Sequence, residues 1–154
     1  MIQENKELLL RDLCARLPYG VRGERIWTAP VSGSPEKGIY VFDTFDINVL
    51  TTGYYDCGEY GFREVRNYSF KPYLFPLSSM TEEQYNSLHE LGILDNCSHS
   101  YEYVNPHIHG VSFIFKQFKT YSLELIEWLN KNHFDYRDLI PRGLAIDCTN
   151  LNIY

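Results

Sequence analysis

Leu9, Leu10, Leu13, Cys14 and Leu17 recur at three- and four-residue spacing, and this pattern predicts an amphipathic helix from Gln3 to Leu17. Glu7–Arg11 and Asp12–Arg16 are i,i+4 pairs in the favourable orientation, each expected to add only a few tenths of a kcal/mol. Pro18 and Gly20 end the helix. From Val21 to about Phe75 the chain reads as β. Val21–Ala29 and Ile39–Leu50 are rich in β-branched and aromatic residues, and a turn-rich loop, Pro30–Gly38, separates them. Asp43 and Asp46 bracket a bend within the second run. Thr51–Gly61 reads as an irregular loop or an open hairpin, followed by a shorter strand from Phe62 to Tyr68. Pro72 and Pro76 rule out a central strand over Lys71–Leu77 in this reading.

The strongest local signal follows. Thr81-Glu82-Glu83-Gln84 fits a capping box with Thr81 as N-cap and Gln84 at N3, and Met80 and Tyr85 stand where a hydrophobic staple forms. A helix of about three turns is expected, burying Tyr85, Leu88 and Leu91 and closed by Gly92. Asp95–Gly110 is polar, and Val111–Phe118 reads as a strand. Ser122 opens a third helix through Asn132, with Leu125, Ile126, Trp128 and Leu129 inward. Tyr136–Ile140 reads as one more helical turn before Pro141, and an extended tail follows Gly143. The expected fold is a single α+β domain over residues 1–154, a small antiparallel sheet packed against about three helices. Its core is expected to hold Leu9, Leu13, Ile26, Val41, Val49, Leu88, Leu91, Phe113, Phe115, Ile126 and Leu129.

Composition narrows the classes of function. The 154 residues suit one domain able to bury a core without staples. Hydrophobic residues at 44% and charged residues at 22% fit a globular chain. The net charge of -6 and a pI near 5.3 disfavour coating of duplex nucleic acid. No apolar run approaches the roughly 18 residues that span a bilayer, so no membrane partner is expected. The N-terminus lacks the basic region of a secretory signal. Cys14, Cys57, Cys97 and Cys148 are scattered with no C-x-x-C, which reads as free thiols in a reducing cytoplasm.

The unusual quantity is 16% aromatic residues, including 13 Tyr. Tyr54, Tyr55, Tyr60, Phe62, Tyr68, Phe70, Tyr73 and Phe75 are interleaved with Arg63, Arg66 and Lys71, a combination that anchors protein interfaces and also stacks bases and holds phosphates. The bland alternative is a sheet face whose tyrosines pack their rings and expose their hydroxyls. Cys97-x-His99 and His107-x-His109 place four candidate zinc ligands within thirteen residues. Their spacing is that of no known finger, Pro106 disturbs a regular strand, and solvated histidines in a polar loop are the commoner outcome. Zinc is the sole cofactor candidate; otherwise none is expected. His133, Asp135 and Asp138 could form an acid–base set, but a helix corner in which Asp135 caps the next turn is the plainer reading. Asp43, Asp46, Asp56, Glu59 and Glu64 could form an acidic face, with ordinary solubilising charge favoured. There is no P-loop, G-x-G-x-x-G, G-x-S-x-G or H-E-x-x-H, so no catalytic residue is assigned and a non-enzymatic role is favoured.

Three stretches, Leu8–Val21, Lys71–Gln84 and Trp128–Ala145, together resemble a group of small uncharacterised proteins encoded by gut anaerobic bacteria and their phages and mobile elements. The resemblance covers about a third of the chain and brings no activity, cofactor or site residue with it. It implies a phage or mobile-element context, in which small proteins often bind host components such as those of defence. The expected function is therefore a binding protein of the host bacterial cytosol acting on a host protein through a tyrosine-rich surface. The alternative is a nucleotide or cyclic-oligonucleotide binder that sequesters or hydrolyses a signal.

Overall fold

A computed structural model describes residues 3–28, 33–90 and 122–154, with Tyr60 and His89 described by backbone only. Helix α1 spans Gln3–Arg16 and runs into a 3-10 turn, Leu17–Tyr19, closed by Gly20 in the left-handed conformation. Strand β1 (Arg22–Thr28) pairs antiparallel with β2 (Pro35–Val41) and with β5 (Arg66–Pro76). Helix α2 (Thr44–Thr52) follows β2, and β3 (Tyr54–Asp56) and β4 (Phe62–Glu64) form a separate hairpin. After α3 (Glu82–Glu90) and α4 (Leu123–Lys131), two short strands, β6 (Phe134–Asp135) and β7 (Ile146–Asp147), join β5 in parallel. The fold is α+β, and the main sheet is mixed rather than purely antiparallel.

Four sequence expectations are corrected here. The run Ile39–Leu50 is not one strand. It splits into the end of β2 and helix α2, because Asp43 and Asp46 form a reciprocal capping box in place of a bend. The Asp43 carboxylate accepts from the Phe45 and Asp46 N–H groups at 2.9 and 3.2 Å, and the Asp46 carboxylate accepts from the Asp43 N–H at 2.9 Å. Pro35–Gly38, expected as loop, is strand paired with Arg25–Thr28. Lys71–Pro76 belongs to the central strand despite its prolines. Pro72 stands at the final rung with β1, opposite Gly23, and Pro76 at the final rung with β6, so each meets its neighbour where a ladder ends. Residues 136–140 form turns rather than a helical turn.

The core lies in two clusters. One packs Leu9 and Leu13 of α1 and Leu50 of α2 against Phe70 and Leu74 of β5, with Leu139 and Leu144 from the last segment. The other joins α3 and α4 through Met80, Tyr85, Leu88, Leu125, Leu129 and Phe134. The staple between Met80 and Tyr85 and the Thr81–Gln84 box form as expected: the Gln84 N–H donates to Thr81 Oγ1 at 3.2 Å and the Thr81 N–H to Gln84 Oε1 at 2.9 Å. Ser122 likewise caps α4 through the Leu125 N–H at 3.2 Å. Of the expected core residues, Leu9, Leu13, Val49, Leu88 and Leu129 are buried, and Ile26 and Ile126 are half-buried. Val41 is 49% exposed because the outer face of the edge strand β2 is open among the described residues. Leu91, Phe113, Phe115 and the strand Val111–Phe118 lie outside the described residues.

The buried face of α1 is only in part the one drawn from its leucines: Leu9 and Leu13 lie on it. Cys14 and Leu17 are exposed, and Asp12 and Arg16 take their place inside. Cys14, Cys57 and Cys148 carry no disulfide. Among the described residues, no helix is long and apolar enough to cross a membrane.

Candidate binding surface

The aromatic surface is built outward from one buried carboxylate. Asp46, in the first turn of α2, is fully buried. Besides the Asp43 N–H, it accepts from Arg25 Nη1 at 3.0 Å and from the Tyr68 hydroxyl at 2.5 Å, so α2 is tied to β1 and β5. Burial pushes the Asp46 carboxyl above its usual range, against the opposing effect of these hydrogen bonds. Burial and the adjacent carboxylate push the Tyr68 phenol upward as well.

Arg25 is held between two rings. Its guanidinium carbon is 3.8 Å from the centroid of Tyr40 and 4.9 Å from that of Phe45. The Tyr40 ring folds across Gly38, where a side chain would meet Tyr40 Cε2 at 2.9 Å. Phe45 then makes edge contacts with Trp27 at 5.2 Å, with Tyr55 at 4.8 Å and with Tyr68 at 6.3 Å. Through Tyr55 this band fixes one face of the β3–β4 hairpin against α2.

The other face of the hairpin is open. The register sets Tyr54 opposite Glu64, Tyr55 opposite Arg63 and Asp56 opposite Phe62. On the open face Phe62 is 75% exposed and Tyr54 48%, while Tyr55, on the face toward Phe45, is 36% exposed. Gly58 and Gly61, both at positive φ, turn the chain between the strands, and Asp56 accepts from the Gly58 N–H at 2.9 Å.

The sequence candidates are therefore divided. Tyr54, Tyr55 and Arg63 share the hairpin, and Arg66 beyond it is exposed and paired with Glu64 at 3.3 Å. Tyr60 ends the 3-10 turn Gly58–Tyr60 between the hairpin strands. Tyr68 is half-buried on Asp46, and Tyr73 is buried in β5. Phe62, read with the aromatic cluster, shares the hairpin with Tyr54 and Tyr55, whereas Phe45, Trp27, Tyr40 and Arg25 form the supporting band and were not among the candidates. The D-x-x-D spacing of Asp43 and Asp46 marks the helix start that carries Phe45, whereas Trp27, Tyr40 and Arg25 meet it only through the tertiary fold. Of the five acids suggested for an acidic face, Asp46 is inside, while Asp43, Asp56, Glu59 and Glu64 are exposed and Asp43 and Asp56 also accept from backbone N–H groups.

The zinc candidates Cys97, His99, His107 and His109 lie outside the described residues; among the described residues, no group of three or more His, Cys, Asp or Glu is placed to hold a metal ion. The suggested acid–base set resolves as a corner. Asp135 accepts from the Leu139 and Ile140 N–H groups at 2.8 Å each, the capping role expected of it. His133 is buried and its imidazole lowered to about 4, first by burial and then by the Arg16 charge. No protein-family model, curated protein or solved structure matches this chain.

Proposed function

We propose that this chain is a non-enzymatic binding protein of phage or mobile-element origin that engages a host protein, such as a component of defence, through the rings of the β3–β4 hairpin. The observation that carries the reading is the exposure of Phe62 at 75% and Tyr54 at 48% on a hairpin anchored from behind by Tyr55 on Phe45. A partner covering these rings gains about 25 cal/mol for each Å² of apolar surface removed from water. Tyrosine and phenylalanine offer this area with few rotatable bonds to immobilise, which suits them to an interface centre. Affinity capture from host lysate with the wild type and with a Tyr54→Ser/Phe62→Ser double variant tests it. A protein retained by the first and lost by the second supports the reading, and an identical set from both overturns it.

A second reading, a nucleotide or cyclic-oligonucleotide binder, is favoured by one pairing: Tyr55 and Arg63 stand opposite each other across the hairpin. A ring beside a guanidinium can stack a base and hold its phosphate. A thermal-shift series separates the readings, because a ligand at about one hundred times its Kd adds about 2.7 kcal/mol. A flat response across nucleotides rejects this one.

A further inference from the structure

The Tyr154 side chain completes a ladder that β1 and β5 leave unfinished. Their antiparallel register ends at Gly23 opposite Pro72, and the next rung would set Arg22 opposite Tyr73. At that place the Tyr154 hydroxyl accepts from the Arg22 backbone N–H at 3.1 Å and donates to the Tyr73 carbonyl at 2.9 Å. Its ring lies on the His133 imidazole, centroids 3.8 Å apart and planes 11° from parallel, with Phe75 tilted beside it at 6.0 Å. The Arg22 guanidinium holds the Ile153 carbonyl at 2.7 Å.

Everything beneath the ring belongs to fixed elements. Arg22, Tyr73 and Phe75 are strand residues. His133 follows the C-cap of α4 at φ +58, its N–H bonded to the Asn130 carbonyl at 3.2 Å and its own carbonyl taken by the Phe75 N–H at 2.9 Å. The segment that delivers the ring is different. Cys148 is anchored to the Leu74 carbonyl at 3.0 Å, residues 149–152 are exposed, and the backbone bonds of Leu151 and Ile153 go to Cys148 and Leu151 within the same segment. Tyr154 is itself 43% exposed, and beyond the Ile153 carbonyl its ring is held by Arg22, Tyr73, Phe75 and His133 alone among the bonds and ring contacts of the described residues.

We propose that the shelf made by His133, Phe75, the Arg22 N–H and the Tyr73 carbonyl is a recognition site for a tyrosyl side chain, filled in cis by Tyr154 and open by exchange to the tyrosine of a partner segment. The shelf reads three properties of a phenol at once: a flat face, an acceptor and a donor. A phenylalanine satisfies the first and forgoes both hydrogen bonds, of which the one to the Tyr73 carbonyl is part-buried. Imidazole burial keeps His133 neutral, so the stacked face carries no charge at pH 7. A short tether gives the cis ring an effective concentration in the mM range, so a partner tyrosine displaces it when contacts elsewhere add to its affinity.

The test uses the full chain carrying Tyr154→Ala, with p-cresol and toluene as probes and the His133 imidazole signals as the readout. p-Cresol is expected to shift those signals saturably, with affinity at least about tenfold above toluene and at least about tenfold above its affinity for the wild type. Unmoved signals, equal effects of p-cresol and toluene, or equal affinity for the wild type would each overturn the proposal. Should the variant not fold, Tyr154→Phe keeps the ring and removes the hydroxyl. p-Cresol should then reach half-shift at a lower concentration than in the wild type, and an unchanged concentration overturns the proposal.

Discussion

Arg16 Nε donates to Asp12 Oδ2 at 2.7 Å with both side chains at 0% exposure, so an ion pair of surface-helix spacing lies wholly inside. Arg16 Nη2 donates to Asp12 Oδ1 at 3.2 Å and to the Phe134 carbonyl at 2.7 Å, joining α1 to β6, and Arg137 Nε approaches the same carboxylate at 3.7 Å. Asp12→Ala therefore strands a fully buried guanidinium. The expected cost is about 3–5 kcal/mol, against about 0–1 for a solvated pair. The double change Asp12→Leu/Arg16→Met removes both charges and should cost far less than Asp12→Ala alone. Urea unfolding of the three proteins decides it, and a loss under about 1 kcal/mol for Asp12→Ala would show the pair to be solvated after all.

Asp46 serves three donors at once, from β1, β5 and its own N-cap. Tyr68→Phe removes one of them and leaves the carboxylate with the other two, so about 1–2 kcal/mol is expected. Asp46→Ala leaves both the Tyr68 hydroxyl and Arg25 Nη1 without their acceptor and removes half of the capping box. It should cost at least twice as much as Tyr68→Phe. Equal costs in chemical denaturation would mean that Arg25 is held by the Tyr40 and Phe45 rings rather than by the carboxylate.

Helices α1, α3 and α4 are legible in the chain because their signals are local: a three-to-four period, a Thr81–Gln84 box and a Ser122 cap. The class α+β follows from these helices and the β-rich middle. What is not legible depends on neighbours. Asp12–Arg16 has the same spacing as Glu7–Arg11, and only the packing of α1 against residues 134–137 separates buried from exposed. The β-branched and aromatic content of Ile39–Leu50 suggests a strand, yet two aspartates three residues apart outweigh it locally and start α2. Pro72 is tolerated in a central strand because the ladder ends at that residue, a fact of register that composition does not carry. Of the tyrosine-rich surface, the hairpin tyrosines were readable from their density. Its support, Phe45 and Trp27 around Arg25, was not, since those residues are distant in sequence and meet only when α2 folds onto the sheet.

His133 gives the protein a pH dependence of predictable sign. Its imidazole is lowered from 6.5 to about 4, so between these values the unfolded chain takes up a proton that the folded chain refuses. Its contribution is complete above pH 6.5 and is lost as pH falls toward about 4, by roughly 3 kcal/mol. Asp46 and Asp135 act in the opposite sense. Burial raises both, so protonation favours the folded chain as pH falls through their raised values. His133→Asn removes the imidazole and keeps a residue that tolerates the positive φ of 58°. Urea midpoints of the wild type should fall between pH 7 and pH 4.5, and those of the variant should fall less. Parallel pH profiles, or an imidazole that titrates near 6.5 by NMR, would show His133 to be solvated.

Phe62 and Phe45 separate display from support. Phe62 is 75% exposed with its ring in water, so Phe62→Ser should alter stability by less than about 0.5 kcal/mol. Phe45 is half-buried and touches Trp27, Tyr55, Tyr68 and Arg25, so Phe45→Ala should cost about 2–3 kcal/mol. The two changes should also differ in where they act. With Phe45 gone, Tyr55 loses the ring that anchors the hairpin, and amide exchange at Tyr55 and Arg63 should quicken while that of Leu74 in β5 follows only the global loss. With Phe62 gone, exchange throughout the hairpin should stay at the wild-type rate. Partner binding, by contrast, should fall in both, directly for Phe62→Ser and through a loosened hairpin for Phe45→Ala. If Phe45→Ala leaves hairpin exchange unchanged, the aromatic band does not support the displayed rings, and the hairpin holds its shape through its own Gly58–Gly61 turn.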